Sequence, residues 1–560
     1  MKQGCKIRLP FFVLPIFLIL SCQKEEYYPK KTDISEKTKA LDNLLEEKNE
    51  IEGMTQLGER LENPYSVQNM RTAWDSLSKK SKVTKNSEII TTHLYIRFKP
   101  KTAEELAELK NDSTIVLYDL PLDYEIISDG DFYHDPELPQ SQPTYKYASI
   151  PKNKKTPTDI EFEVLEELFI PDEDSDTNEF KANSFASKET IDRLVDESLR
   201  LTNNLDELEK ENPLASRRRW RPSGRVRVYD HITRSYVPVT GLKVRARRWF
   251  TTHRGFTNNS GNFKCVGRFR RKANYSIKWD RYEYSIRSGT FGQAILNGPK
   301  RRGNWNVNLG KSSSSIVNDK QQYYALIHQG ALDYYYGSRF GLTSPPRNKF
   351  LRKQLKIAAR PKSGQSSYVK ARSIYLGADI SLQAWGRTSD RVYGTIIHEL
   401  AHAAHRRVDR KSYNSIVWGA YTGPCTSFNG CQNLGPTANG KRRLMETWAT
   451  TVETVFVLNR YRNLYRLKSF EYKSDNLQNQ TILDENHYTS VGYDMIDNLN
   501  QSSVYGSGFP KDKVKGYTVK QLELGLRGAK TWRGWKNNIK ARFNNPTEIH
   551  LDELFNNWQN

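Results

Sequence analysis

His398-Glu399-Leu400-Ala401-His402 sets two imidazoles four residues apart with a carboxylate beside the first. On a helix, residues at that spacing share a face, so the pair is a two-point clamp for Zn²⁺. Glu399 then stands where it can take a proton from a water on the ion. The flanking residues supply the helix: Val392, Ile396, Ile397, Leu400, Ala401 and Ala404 recur at helical spacing between Asp390 and Val408, and Ser389 or Asp390 can cap its start. A purely structural zinc site needs no general base, so the glutamate between the histidines points to hydrolytic chemistry.

A catalytic zinc ion takes three protein ligands and leaves a position for water, so one more residue must come from elsewhere. The metzincin extension is excluded, because it needs Gly at 405 and His at 408, where this chain has His405 and Val408. Downstream, Leu444 to Leu458 reads as a second buried helix, with Glu446 and Glu453 two turns apart on one face. An H-E-x-x-H followed by a helix bearing Glu446-Thr447-Trp448-Ala449 resembles the gluzincin metallopeptidases, whose second helix carries E-x-x-A. The resemblance implies one catalytic Zn²⁺ held by His398, His402 and Glu446, with Glu453 holding the free ring nitrogen of a ligand histidine. Thr450 departs from the pattern, since many gluzincins carry Asp there.

The reaction so implied is peptide-bond hydrolysis. Zinc acidifies its water and polarises the scissile carbonyl, while Glu399 accepts the proton and delivers it to the leaving amine. Gluzincins often keep a Tyr or His downstream as oxyanion donor, and within Glu485 to Tyr493 the candidates are Tyr488 and His487. Of the elements that must position these groups, Asp319 to Phe340 is expected to be a long aromatic-rich helix backing the metal helix. His405 and Asp409 are expected to cap the helix end and face solvent. Ser373 to Leu382 is β-rich, and its place before the motif suggests the sheet edge that an extended peptide joins in zincins.

The start of the chain bears on location. Lys2, Lys6 and Arg8 precede an apolar run from Leu9 to Leu20, too short to span a bilayer as a permanent helix, so residues 1–22 read as a signal peptide. Ile19-Leu20-Ser21-Cys22 resembles the lipobox of bacterial lipoproteins, which implies that Cys22 is acylated. Gln23-Lys24-Glu25-Glu26 is similar to the signal that sends lipoproteins of one Gram-negative phylum to the cell exterior. The resulting expectation is an outer-membrane lipoprotein exposed at the cell surface, with the lipid as its anchor. Cys425 and Cys431 flank a short loop and can form a disulfide in an oxidising compartment, leaving Cys265 as a buried thiol.

At 560 residues the chain has room for several cores. The expected fold is multidomain: an α+β zincin-like catalytic domain at 311–560, preceded by an all-β sandwich at 216–310 and an N-terminal α+β module at 61–175. A polar tether fills 23–60 and an acidic, helical linker fills 176–215. Segments 91–100 and 118–125 are similar to a module of lipoproteins of the same phylum. The strands of 216–310 and the turn Asn258 to Asn262 resemble the carboxypeptidase regulatory-like domain, an antiparallel sandwich. This stretch carries 23 Lys and Arg against 3 Asp and Glu, which nearly accounts for the +23 of the whole chain. So concentrated a charge is either a solvated face or a docking surface for polyanions such as sulfated glycans or lipopolysaccharide. Nucleic acid is not expected, since no recognition motif is present. Two functions therefore compete: a lipid-anchored zinc peptidase acting on peptide or protein substrates, and a surface binding or adhesion lipoprotein whose basic sandwich does the work beside an inert or structural zinc.

Overall fold

The computed structural model describes residues 53–80, 88–139, 142–157, 159–171, 188–205, 219–289, 292–348, 354–369, 378–422, 436–472, 478, 480–482 and 487–558. The expected signal peptide with Cys22, most of the tether, the acidic run 172–176, and both Cys425 and Cys431 lie outside them. The described residues form a mixed α/β structure with several sheets.

The N-terminal part contains β1 (Gln56–Arg60), α1 (Val67–Lys80), β2 (His93–Phe98), α2 (Ala103–Asn111), β3 (Tyr124–Ser128), β4 (Lys146–Pro151), β5 (Phe162–Leu168) and α3 (Lys188–Leu201). Strands β4, β2 and β5 make an antiparallel sheet in that order, and β1 pairs with β3. Helix α2 starts where the Thr102 hydroxyl accepts from the Glu105 amide, a side-chain cap. The end of the tether is strand β1 rather than free chain. The linker is helical as expected, at α3, but that helix packs on α1 instead of standing free. Its apolar face explains this: Leu194, Val195 and Leu199 are buried with Met70, Trp74 and Tyr95 in one core. Ser113 to Tyr118, though strand-like in its residues, contributes one bridge, Tyr118 to Tyr147.

Next come β6 (Ser223–Asp230), β7 (Ser235–Pro238), β8 (Lys243–Arg248), β9 (Thr251–Phe256), β10 (Asn262–Lys264), β11 (Ala273–Lys278), β12 (Tyr284–Ser288), β13 (Gly292–Gln293), β14 (Ile295–Arg301) and β15 (Trp305–Leu309). One sheet runs β10-β6-β15 with β7 also on β6, and the other runs β14-β11-β8-β9. Alternating Val226, Val228, Val244, Ala246, Tyr275 and Ile277 turn inward to a shared core. The pairing is not purely antiparallel as expected, because β15 lies parallel to β6 from Trp305 opposite Gly224 to Leu309 opposite Val228.

The remainder contributes α4 (Lys320–Tyr336), β16 (Leu355–Ala359), β17 (Ser367–Tyr368), β18 (Ile380–Leu382), α5 (Ser389–Val408), α6 (Arg410–Val417), α7 (Pro436–Leu458), α8 (Val491–Asp494), α9 (Gln501–Tyr505), α10 (Val519–Gly525), α11 (Trp532–Arg542) and α12 (Leu551–Asn556). Its sheet has the order β13-β12-β16-β18-β17, with β12, β16 and β18 mutually parallel. This sheet crosses the boundary expected at residue 310, since β12 and β13 come from the sequence before it. The reason is burial: Tyr284 and Ile286 pack into the core that α4 and α5 cover. Of the β-rich run Ser373 to Leu382 expected as a substrate edge, 373–377 lie outside the described residues, and its end is β18, which pairs with β16 on one side and the two-residue β17 on the other. Helix α4 packs against α5, which in turn lies along α7.

Candidate metal centre

Helix α5 is buried along most of its length, from Ser389 to His405. It begins after Thr388, whose hydroxyl donates to Asp390, so Thr388 rather than Ser389 or Asp390 holds the cap position. Helix α7 crosses it and turns Glu446 and Glu453 towards the same spot. The result joins residues from two elements: His398 Nε2 lies 3.2 Å from His402 Nε2 and 3.2 Å from Glu446 Oε2, and His402 Nε2 lies 3.4 Å from Glu446 Oε2. The two rings stand nearly perpendicular, at 82°. All three side chains are buried and could hold one metal ion.

Around this triangle the outer atoms are also engaged. Glu453 Oε2 sits 3.0 Å from His398 Nδ1, and Tyr472 donates to the other Glu453 oxygen at 2.7 Å. Tyr421 donates to Glu446 Oε1 at 2.6 Å. Close approach makes room for these groups. A Cβ on Gly394 would strike the Tyr472 hydroxyl and the Glu453 carboxylate, and one on Gly492 would strike Thr451 of α7. Sequence reading missed Tyr421 and Tyr472; among thirty-one tyrosines nothing local distinguishes them.

Electrostatics follow from the packing. Burial opposes charge on His398, yet its hydrogen bonds to the Glu446 and Glu453 carboxylates, with their negative charge, outweigh it and push its pKa up to about 10. For His402 burial dominates and its pKa falls. Burial would raise the Glu446 carboxyl, but the two imidazoles hold it well below the usual range. The pocket thus holds an anionic carboxylate and draws positive charge to its centre, and the carboxylate and two imidazoles are a donor set suited to a borderline cation.

Glu399 is 2% exposed on the same helix. Tyr488 is buried, its ring centroid 6.1 Å from that of His398, while its neighbour His487 is half-buried. His405 does not face solvent as expected: it is fully buried against Tyr413 of α6, and neither ring nitrogen has a hydrogen-bond partner. The chain turns back after Val408, and α6 covers that face. Burial, reinforced by His402, pushes the His405 pKa down to about 3. Asp409 does cap the end of α5, its amide donating to the His405 carbonyl, and its side chain also starts α6, accepting from the Ser412 amide at 3.1 Å. Cys265 is a buried free thiol, its pKa pushed up to about 12 by burial.

Among the described residues no helix is long and apolar enough to cross a membrane. No family model, no curated protein and no solved structure matches the chain.

Proposed function

We propose that the chain is a zinc-dependent peptidase of gluzincin type with a zincin-like catalytic domain, carried on an outer-membrane lipoprotein anchored through Cys22 and exposed at the cell surface. The observation that carries the reading is the donor triangle with sides of 3.2, 3.2 and 3.4 Å. Donors at zinc-ligand distances and tetrahedral angles stand roughly 3.4 Å apart, so His398, His402 and Glu446 fit the ion. When bound, Zn²⁺ supplies Lewis acidity towards a water and the substrate carbonyl.

The chain's own residues do the rest. Glu453 accepts from His398 Nδ1, which leaves the Nε2 lone pair for the ion. Tyr421 fixes Glu446 through its second oxygen. Glu399 takes a proton from the attacking water and passes it to the departing amine. Tyr488, buried beside His398, is the candidate donor to the oxyanion, with His487 as the second.

The test exposes the zinc-loaded chain from residue 23 onward to a diverse peptide mixture, beside Glu399→Ala, and reads cleavage by mass spectrometry. Cleavage by the first and a loss of about a thousandfold or more in the second supports the reading. No cleavage by either, or equal cleavage by both, overturns it.

One observation favours a second role for the same molecule. A cavity of about 650 Å³ between the sandwich and the N-terminal module is lined by Lys110, Lys243, Arg245, Lys278, Arg287 and Lys356, with Asp112 and Asp280 as its acidic lining. Burial and the neighbouring cations hold the Lys110 ammonium well below its usual pKa. Such a cavity suits the sulfate or phosphate groups of a polyanionic glycan or lipopolysaccharide. Retention on a sulfated matrix should weaken steeply with salt, and salt-independent retention would count against docking.

A further inference from the structure

Three carboxylates that the proposed reaction does not use converge in the segment after Tyr488. Asp494 ends α8, Asp497 follows in the next turn, and Asp512 returns from beyond α9, with one oxygen of each within 4.8 Å of the others. Asp494 and Asp512 are buried and Asp497 is half-buried. Among the described residues no Lys, Arg or His pairs with any of them; Arg462 acts on Asp497 from a distance, its Nε donating to the Phe470 carbonyl. In a chain with 87 Lys and Arg against 64 Asp and Glu, two buried acids and a half-buried one without a basic partner call for another source of positive charge.

The cluster is held in place from behind. The Val514 amide donates to Asp512 Oδ1 at 2.9 Å, and the Ser490 hydroxyl donates to Asp494 Oδ2 at 2.7 Å. Gln478 and Gln501 each donate an amide hydrogen to Asp494 Oδ1 at 2.6 Å. Independently of the carboxylates, Gln501 is completely buried and its carbonyl oxygen Oε1 has no hydrogen-bond partner, although its amide lies against Asp494. Asp512 Oδ2 is likewise buried without a partner. Two buried acceptors in residues of this cluster, one of them on the amide group that donates to Asp494, thus lack a protein donor, which leaves them to a water or a cation.

We propose that Asp494, Asp497 and Asp512, with the Gln501 carbonyl, form a Ca²⁺ site distinct from the zinc centre. The donors are all hard oxygens, which suit calcium rather than zinc. At calcium–oxygen distances, ligand atoms up to roughly 5 Å apart share one ion, which accommodates the observed spacing. Without the ion, burial raises all three carboxyl pKa values, and Asp494 adds to the push on Asp497 and Asp512. The ion ties α8 to the loop bearing Asp512. That brace reaches the zinc centre structurally: Thr489, next to Tyr488, shares a 3.0 Å hydrogen bond with Thr447, the residue after Glu446.

The test uses the full chain, stripped of metal, reloaded with one equivalent of Zn²⁺ and titrated with Ca²⁺ by calorimetry and thermal melting. One Ca²⁺ should bind per chain, and melting should rise by about 5 °C at about 2 mM Ca²⁺. Asp512→Asn and Asp497→Asn should lose both effects, whereas Glu446→Gln, which breaks the zinc centre, should keep them. If Asp512→Asn does not fold, Asp497→Asn at the half-buried member decides. A wild-type chain indifferent to Ca²⁺ at pH 8, its cluster neutralised by protons alone, overturns the proposal. So does a response that both Asp variants retain.

Discussion

At the scale of single residues, the centre depends on groups that never touch the ion. Glu453 holds Nδ1 of His398, and Tyr472 in turn holds Glu453. Replacing such a partner typically weakens metal binding 10- to 100-fold, by about 1.4 to 3 kcal/mol. Glu453→Gln is therefore expected to weaken Zn²⁺ binding by about that factor, measured by competition with a chelator, and Tyr472→Phe by about tenfold or less. Unchanged affinity in both variants would remove them from the centre's support. The motif at 398–402 was legible because two ligands and a base lie within one turn of a strongly periodic helix. Glu446 and Glu453 required a family resemblance to single out. Tyr421 and Tyr472 were not legible at all, because their roles arise where separate segments cross.

At the scale of elements, caps and apolar periodicity locate the helices well. Asp319 accepts from the Gln322 amide to start α4, and Gly337 ends it, so the long helix expected up to Phe340 stops at Tyr336. Partner choice between strands was harder: alternation marks β12 as a strand but cannot say that it pairs in parallel with β16 rather than staying in the sandwich. Helix α4 joins these regions through His328, which contacts the Thr240 carbonyl through Nε2 at 2.9 Å and the Tyr284 hydroxyl through Nδ1 at 3.0 Å. Burial pushes its pKa down to about 4, with Arg281 lowering it further and the Thr240 carbonyl and Asp280 opposing. A depressed histidine pKa means that the fold prefers the neutral ring. Its contribution is complete above the unfolded value near 6.5 and is lost as pH falls towards about 4. Stability should consequently drop by up to about 3 kcal/mol more in wild type than in His328→Gln between pH 7 and pH 4, measured by urea unfolding. Parallel pH profiles would show that His328 is not the titrating group.

At the scale of the whole molecule, the basic charge of the sandwich has a structural use that composition alone could not reveal. Arg270 and Arg271 pair with Asp196 of α3, while Arg245 and Arg247 donate to the Leu117 and Leu122 carbonyls. Part of the basic surface is therefore an internal seam that clasps the N-terminal module, and other cations, Lys243, Lys278 and Arg287 among them, line the cavity. Boundaries drawn from composition at 176–215 and 310 missed this, because the contacts join segments far apart in sequence. Phe250, between β8 and β9, is the apolar centre of the seam: it is buried in the module's core, with its ring centroid 4.9 Å from that of Tyr95. Truncating a buried phenylalanine costs about 3 to 5 kcal/mol. The module's core and the core shared by the sandwich and α5 are separate clusters, so that loss should fall on one side of the molecule. Phe250→Ala is expected to shift the module's melting below that of the rest, giving a second, lower transition in calorimetry, with Zn²⁺ affinity at the centre unchanged. A single transition lowered as a whole would instead mean that seam and centre unfold together, in which case the N-terminal module is an integral support of the site.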